Sequence, residues 1–516
     1  MISTTASHRQ GMRPPGRRRA VLAIDEGTTG TRAAWVSADG EVSGLEYRKL
    51  DVDYPAPGVV EQDAAQILAM TLDALTSTVA RARESDVEIV ALAVTQQRLT
   101  AVLWDAHSGA PLAPALVWQD TRHAAELMQL AGPWSSRLFD VLGRPAGFGS
   151  PYLWTSHQLR ENAEVATAYH RGDLRFGSID SWLVWNLSRD RTWATSTTNA
   201  SANGVYATSA NEYFLDWVAE LGFPRDLLPG IRQDRDDYGM SDADVCGISV
   251  PILGVIGDQQ AGAIGLGSIR AGQVSCVHGT GSFIDLNSGT SRPDYAAEEA
   301  PGAIPLVAWR AVGTNHYLAE SIVPMTGAAL DWVCDTLGWF KSLAELSALA
   351  EDAGTSAGVM FLPALAGVMT PSIAPGAKAA LSGVTAATTR GNIARAVIEG
   401  IAHSVVDGLD ATAQAAGMRP SEVLVGGGLA LSDVYLQAQA DLSGIPQLRH
   451  ASAEVASLRG AAFLAASDGT LWADLEEAAA TLGSPDVFHP TISAEDRARR
   501  RQAWKRRLDF EIASVG

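Results

Sequence analysis

The chain has 516 residues, 47% hydrophobic and 19% charged, which excludes a disordered chain and exceeds what one hydrophobic core organises. Its formal net charge of −19 excludes nucleic acid and anionic membrane surfaces as expected partners. No stretch approaches the roughly 20 continuous apolar residues of a membrane-spanning helix. The three cysteines (Cys246, Cys276, Cys334) lack metal-ligand spacing and read as free thiols in a reducing, cytoplasmic setting.

Residues 1–19 carry Arg9, Arg13, Arg17, Arg18 and Arg19 without an apolar core, which predicts a disordered basic tail. Ala20–Ile24 predicts a buried strand that runs into Asp25-Glu26-Gly27-Thr28-Thr29-Gly30-Thr31-Arg32. Such a turn presents N–H groups and hydroxyls to phosphate oxygens beside a carboxylate; by itself it equally fits an ordinary polar turn. Further strands are expected at Ala33–Val36, Glu88–Val94 and Ala101–Trp104, with helices at Ala64–Glu84 and Ala124–Leu130. The strand Ile252–Gly257 leads to Asp258-Gln259-Gln260 and then to the glycine-rich run from Gly262 to Gly267, which fits a hinge or tight helix packing.

The second half repeats the theme. Strands at Val274–His278 and Phe283–Leu286 flank Gly279-Thr280-Gly281, and strands at Ile304–Trp309 and Glu422–Val425 follow. Arg390–Ala416 predicts a helix with Ile393, Ala396, Val397, Ile401 and Val405 near one face. The triple glycine Gly426-Gly427-Gly428 precedes a helix expected at Ser432–Leu442, an arrangement that lets a planar or anionic group approach backbone. Trp504 and its basic neighbours predict a closing helix whose arginines form a solvated face.

Two Thr/Gly hairpins half a chain apart, with a late glycine-rich strand end, describe a duplicated nucleotide-binding α/β architecture. Neither a G-x-x-x-x-G-K-[ST] string nor a strand followed by G-x-G-x-x-G is present. The border is expected just after Gly257-Asp258-Gln259-Gln260, giving domains over residues 20–262 and 263–516 with a cleft between them. At the end of its strand, Asp258 fits a general base aimed into that cleft and equally fits a helix cap.

With these strings in order, joined by Val117-Trp118-Gln119-Asp120, Phe176-Gly177-Ser178-Ile179-Asp180, Thr198-Asn199-Ala200-Ser201 and Gly327-Ala328-Ala329-Leu330-Asp331-Trp332, the chain resembles the FGGY carbohydrate kinases. The likeness runs from Ala20 to about Trp504 and is nearest the glycerol kinases of that family. It implies two actin-like (ribonuclease H-like) domains and transfer of the γ-phosphoryl group of ATP, with Mg²⁺, to a hydroxyl of glycerol or a related short polyol. Asp258 then corresponds to the catalytic base, and Asp25 to the organiser of the Mg²⁺ hydration shell. Thr28, Thr29, Gly30, Arg32 and Thr280 correspond to phosphate contacts, and Gly327, Asp331, Gly428 and Ser432 to the adenosine side.

Arg98, Leu99, Trp118, Tyr152, Asp258 and Gln259 correspond to the acceptor pocket. Three positions depart from the glycerol-kinase pattern: on the adenosine side Asp331 stands for Gln and Ser432 for Asn, and in the acceptor pocket Leu99 stands for a Glu that accepts a hydroxyl hydrogen bond. A hydroxyl left unpartnered at Leu99 costs about 1–3 kcal/mol, unless a neighbouring group replaces the acceptor. Trp154, soon after Tyr152, fits either a reshaped pocket or core packing. Arg98 separates the chain from the xylulose and ribulose kinases, which differ there; a ketopentose kinase and a catalytically silent nucleotide-binding sensor are the alternatives. Relatives form dimers and tetramers, so a homo-oligomer is an option, although no interface is legible.

Overall fold

The structure is a computed structural model that describes residues 17–147, 149–294 and 302–514. Most of the expected basic tail lies outside the described residues, but its end does not. Arg18 and Arg19 open the first strand, Arg18–Glu26, by pairing in parallel with Val87 and Glu88. The tail boundary expected at residue 19 therefore moves: backbone pairing recruits residues whose side chains remain exposed.

Five strands form the first sheet in the order Ile252–Gly257, Val87–Gln96, Arg18–Glu26, Gly30–Ser37, Val42–Lys49. The first strand pairs antiparallel with its hairpin partner and parallel with Val87–Gln96. Its apolar residues alternate between two cores. Ala20, Leu22 and Ile24 face the helix Ala64–Glu84, and Val21 and Ala23 face the helix Ala456–Ala465. A sheet covered on both faces requires this continuous apolar run, since alternation would leave one face polar.

The second sheet has seven strands, in the order Ile304–Ala311, Thr314–Val323, Ser282–Gly289, Val274–His278, Val423–Gly427, Gln447–Arg449, Asp486–Phe488. Its inner five repeat the strand pairing of the first sheet: an antiparallel hairpin, a third antiparallel strand (here reached through the edge strand Ile304–Ala311), and parallel neighbours on the other side. The 27-residue helix Arg390–Ala416 covers one face, stopped by Gly417 in the left-handed conformation.

The halves are not separable cores. The helix Ala456–Ala465, late in the sequence, packs on the first sheet and crosses the helix Asp258–Gly265 at glycines. A Cβ on Gly265 would lie 1.9 Å from the Ala456 carbonyl oxygen, and one on Gly460 1.8 Å from that of Ala261. Of the two readings of the glycine-rich run, tight packing is the one observed here. The closing helix is Ala494–Ala513, and its arginines are not simply a solvated face. Arg501 pairs with Asp407 and Asp410, and Arg500 with Glu399, because Trp504 is buried against the long helix and brings them alongside.

Candidate active site

The turn of the first sheet closes with Gly27 N–H donating to the Gly30 carbonyl at 3.1 Å. Thr28 Oγ1 donates to Gln97 Oε1 at 3.0 Å and accepts from Trp118 Nε1 at 2.9 Å. Gln62 Nε2 donates both to the Thr28 carbonyl, at 2.8 Å, and to that of Asp51, while Gln97 Nε2 donates to Gln62 Oε1 at 2.9 Å. The Thr28 hydroxyl, expected on a phosphate, is thus engaged by protein on both sides. Thr29 is the exposed hydroxyl of this turn, and its carbonyl accepts from Leu50 N–H and Tyr47 Oη–H. Gly30 is fixed by space, since a Cβ there would sit 2.3 Å from the Tyr47 ring. Arg32 donates to the Glu454 carbonyl at 3.0 Å, a link across the two halves. Burial holds the Asp25 carboxyl above the usual carboxylate range, opposed by the Arg32 guanidinium.

The turn of the second sheet is stitched differently. Gly279 N–H donates to the Gly281 carbonyl at 2.8 Å, and Thr326 and Ala328 N–H groups both donate to the Thr280 carbonyl. Gly327 N–H donates to the Gly279 carbonyl, so the short helix Gly327–Asp331 is anchored to the turn by backbone alone. The Thr280 side chain is exposed, with no protein hydrogen bond among the described residues. The glycine-rich strand end lies next to this turn, because His278 and Gly427 are paired. A Cβ on Gly428 would meet nothing within 4 Å, so its backbone is open to a flat group. Ser432 is the residue before the helix Asp433–Ser443, 3.5 Å from Ser347 through their hydroxyls, and Asp331 is exposed. The helix begins one residue later than expected because Gly428–Leu431 forms a 3₁₀ turn first.

On the acceptor side, Asp258 is the first residue of the helix Asp258–Gly265. Its Oδ1 accepts from Gln259 N–H at 2.9 Å and its Oδ2 from Gln259 Nε2 at 3.1 Å. Burial pushes its carboxyl up to about 6, with Arg98 opposing and Asp25 adding to the rise. Arg98 Nε lies 3.6 Å from Asp258 Oδ1, and Arg98 Nη2 lies 2.7 Å from Glu320 Oε2. Arg98 Nη1 and Gln259 Oε1 are buried without a partner among the described residues. One donor and one acceptor beside the same carboxylate are what a substrate hydroxyl pair would satisfy, and leaving each unpaired costs about 1–3 kcal/mol.

Arg98 stacks over Phe283 at 5.8 Å, and the Phe283 and Trp118 rings meet edge-on at 6.5 Å. Trp118 is 38% exposed, so this apolar wall faces the cleft. Leu99 adopts φ 65°, a left-handed conformation that costs a branched residue on the order of 1 kcal/mol. That turn is what sends Arg98 inward while Leu99 stays half-buried.

Tyr152 is the acceptor residue that the structure sets apart. Its ring is packed with Phe176 and Phe223 in the core, and its hydroxyl neighbours Asn203. Among the described residues no hydrogen bond or ring contact joins it to Arg98, Trp118 or Asp258. Trp154 is core packing, 1% exposed. Gln62, Gln97, Phe283, Asp285 and Glu320 were missed by sequence reasoning. The available signal was an acidic residue within each apolar strand, Phe283-Ile284-Asp285-Leu286 and Leu318-Ala319-Glu320-Ser321-Ile322.

The arrangement offers a carboxylate base, an open hydroxyl-and-backbone turn on each sheet, and a second buried carboxylate for a hydrated cation. Asp25 fits that last role: its charge adds to the cost of ionising Asp258, which a divalent cation would relieve.

Comparison with known proteins agrees with this architecture. Residues 20–265 match the N-terminal domain, and residues 274–468 the C-terminal domain, of the FGGY family of carbohydrate kinases. The chain is 35% identical to the glycerol kinase of Thermus brockianus, over 95% of this chain and 98% of that protein. It is 34% identical to the glycerol kinase of Rhodopirellula baltica, over 96% and 92% of the two chains. The structure of Plasmodium falciparum glycerol kinase with ADP superposes with a TM-score of 0.87 at 24% identity, covering 97% of this chain and 99% of that one. A gluconate kinase from Lactobacillus acidophilus shares the fold with a TM-score of 0.83 at 19% identity, covering 97% and 99%. The duplicated sheets, the paired turns and these matches together make the chain a member of the FGGY family of carbohydrate kinases.

Proposed function

We propose that this kinase transfers the γ-phosphoryl group of ATP to a hydroxyl of glycerol or a related short polyol, in the cleft between residues 20–262 and 263–516. The observation that carries this reading is Asp258: a half-buried carboxylate, pushed up to about 6, flanked by an unpartnered Arg98 N–H and an unpartnered Gln259 carbonyl. When bound, ATP supplies the phosphoryl group and Mg²⁺ spreads its negative charge.

Arg98 Nη1 and Gln259 Oε1 orient the acceptor, with its carbon chain against Trp118 and Phe283. Asp258 accepts the proton of the attacking hydroxyl, and its raised affinity for that proton keeps base and leaving proton matched near neutral pH. Thr29, Gly30 and Arg32 from one side and Thr280 from the other hold phosphate. Asp25 orders water around the metal, while Gly327, Asp331, Gly428 and Ser432 flank the adenosine. Thr28 contributes by wiring the first turn to Trp118 and Gln97 in place of a direct phosphate contact.

Leu99 favours a second reading of the acceptor. Without a carboxylate there, a glycerol hydroxyl loses a partner, and binding weakens about ten- to a hundredfold in an otherwise equal site. A longer polyol or a ketopentose would then be preferred. Coupled ADP release with Mg-ATP against glycerol, four- and five-carbon polyols and ketopentoses tests both readings. Fast turnover of glycerol supports the first; slow glycerol with a fast longer acceptor supports the second. ATP hydrolysis that no polyol or sugar stimulates overturns the kinase reading.

A further inference from the structure

Two acidic side chains stand directly opposite each other on the floor of the acceptor side. Asp285 and Glu320 are paired residues of the antiparallel strands Ser282–Gly289 and Thr314–Val323, 1% and 3% exposed. Side chains two apart on a strand share a face, so Asp285 lies on the face of Phe283, which carries the Arg98 guanidinium. Ile284 and Leu286 point the other way, into the core beneath the long helix.

Glu320 Oε2 lies 2.7 Å from Arg98 Nη2 as an ion pair without hydrogen-bond geometry, and neither oxygen of Asp285 meets an N–H or O–H donor among the described residues. If all were ionised, Asp285, Glu320 and Asp258 would set three carboxylates against the one guanidinium of Arg98. Opposed like charges in a dry site are resolved by a shared proton. Burial first, then the facing Glu320, hold the Asp285 carboxyl well above the usual range, with Arg98 opposing and Asp258 adding. The Cys276 thiol is the remaining titratable neighbour whose own ionisation Asp285 opposes.

We propose that Asp285, as the proton-bearing partner of Glu320, is a positioning residue that fixes Arg98 for the acceptor. The Asp285 O–H donates to Glu320, leaving Glu320 as the single negative partner at Arg98 Nη2. The guanidinium is then balanced between Glu320 on one side and Asp258 on the other, and its Nη1 donor faces the acceptor. An ionised Asp285 would draw Arg98 toward the pair and away from Asp258. This device comes from the second sheet, so the residue that reads the acceptor is aligned only when both halves are in register. The inference rests on the kinase reading above.

Steady-state kinetics of the wild type, Asp285→Asn and Asp285→Leu, with Mg-ATP and the best polyol, test it across the neutral and alkaline range. Asp285→Leu should raise the acceptor KM by about tenfold, the worth of roughly one misplaced charge-assisted hydrogen bond, with the ATP KM unmoved. Asp285→Asn keeps an N–H donor toward Glu320 and should recover most of that loss. The wild-type acceptor KM should rise with pH as Asp285 ionises, and that rise should vanish in Asp285→Asn. Equal damage in both variants, or a parallel rise in the ATP KM, overturns the proposal.

A readout without turnover separates it from the kinase reading. A buried acid whose folded affinity for protons exceeds its unfolded one loses stability as pH rises above the unfolded value. The Tm advantage of Asp285→Asn over wild type should therefore grow with pH. An advantage that does not change with pH sinks the shared proton even if no acceptor is ever found, while an inactive wild type sinks the kinase reading alone.

Discussion

The two sheet turns occupy equivalent places in a repeated topology, yet they are wired to different things. In the first, the residue before the turn is Glu26 and in the second it is His278, each buried and each paired across its hairpin. Burial pushes the Glu26 carboxyl up to about 8 and the His278 imidazole down to about 3, so opposite chemistries both end neutral. A dry floor under such a turn tolerates polarity and opposes charge. Above that floor the turns diverge. Thr28 is bound to Gln97 and Trp118, while the Thr280 hydroxyl has no hydrogen bond among the described residues and its carbonyl accepts from the Thr326 and Ala328 N–H groups. The two turns share a place in the repeated strand pairing, and the first is the one wired through its side chain to Gln97 and Trp118.

The sharpest separation comes from the residue that belongs to neither turn. Asp258→Asn should lower kcat by about 10²–10⁴-fold while ATP affinity, measured by titration calorimetry, stays within a few-fold. In the wild type, kcat/KM for the acceptor should rise with pH through about 6 as Asp258 loses its proton. The sign follows from its role, since only the ionised form accepts the hydroxyl proton. An activity that instead falls across that range would contradict the base assignment.

A smaller effect tests the acceptor pocket itself. Leu99→Glu should improve glycerol kcat/KM by about ten- to a hundredfold if the pocket is otherwise that of its glycerol-kinase relatives. No gain would mean that the Arg98–Glu320 arrangement already supplies the polar partner.

The wiring difference predicts a split of roughly tenfold or less. Thr280→Ala should raise the ATP KM and leave the acceptor KM alone. Thr28→Val, or Trp118→Phe, should raise the acceptor KM, because either change breaks the Trp118–Thr28–Gln97 chain. If Thr28→Val moves only the ATP KM, the two turns are functionally alike.

The smallest effect concerns the floor. Glu26→Gln should leave turnover near neutral pH unchanged, since the wild-type side chain is already uncharged there. The wild type binds this proton more tightly folded than unfolded. Its stability should fall as pH climbs from the ordinary carboxyl range toward 8, and Glu26→Gln should remove that decline in Tm.

Much of the molecule was legible from pattern. The limits Ala64–Glu84, Ile252–Gly257, Val274–His278 and Arg390–Ala416 were read directly, because apolar spacing, glycine stops and strand-to-turn transitions are local properties. The exposed strand Val42–Lys49 was missed, since an edge strand without a buried face carries little periodic signal. The Thr/Gly turns pointed to a duplicated nucleotide-binding architecture, while the family, and with it Asp25, Thr280 and Asp258 as candidates, came from a resemblance spread over many ordered strings.

What the chain could not disclose was which side chains are already taken. Thr28 looks like a phosphate ligand until Trp118, 90 residues away, is seen bonded to it. Gly262 and Gly265 fit a hinge or tight packing equally until the helix Ala456–Ala465 is seen closed against them. Asp285 and Glu320 look like strand polarity until cross-strand register sets them face to face beside Arg98. Sequence determined the elements and the turn chemistry because those depend on neighbours a few residues apart. Tertiary structure decided charge state and partnership, because burial and Coulomb interaction depend on distance in space.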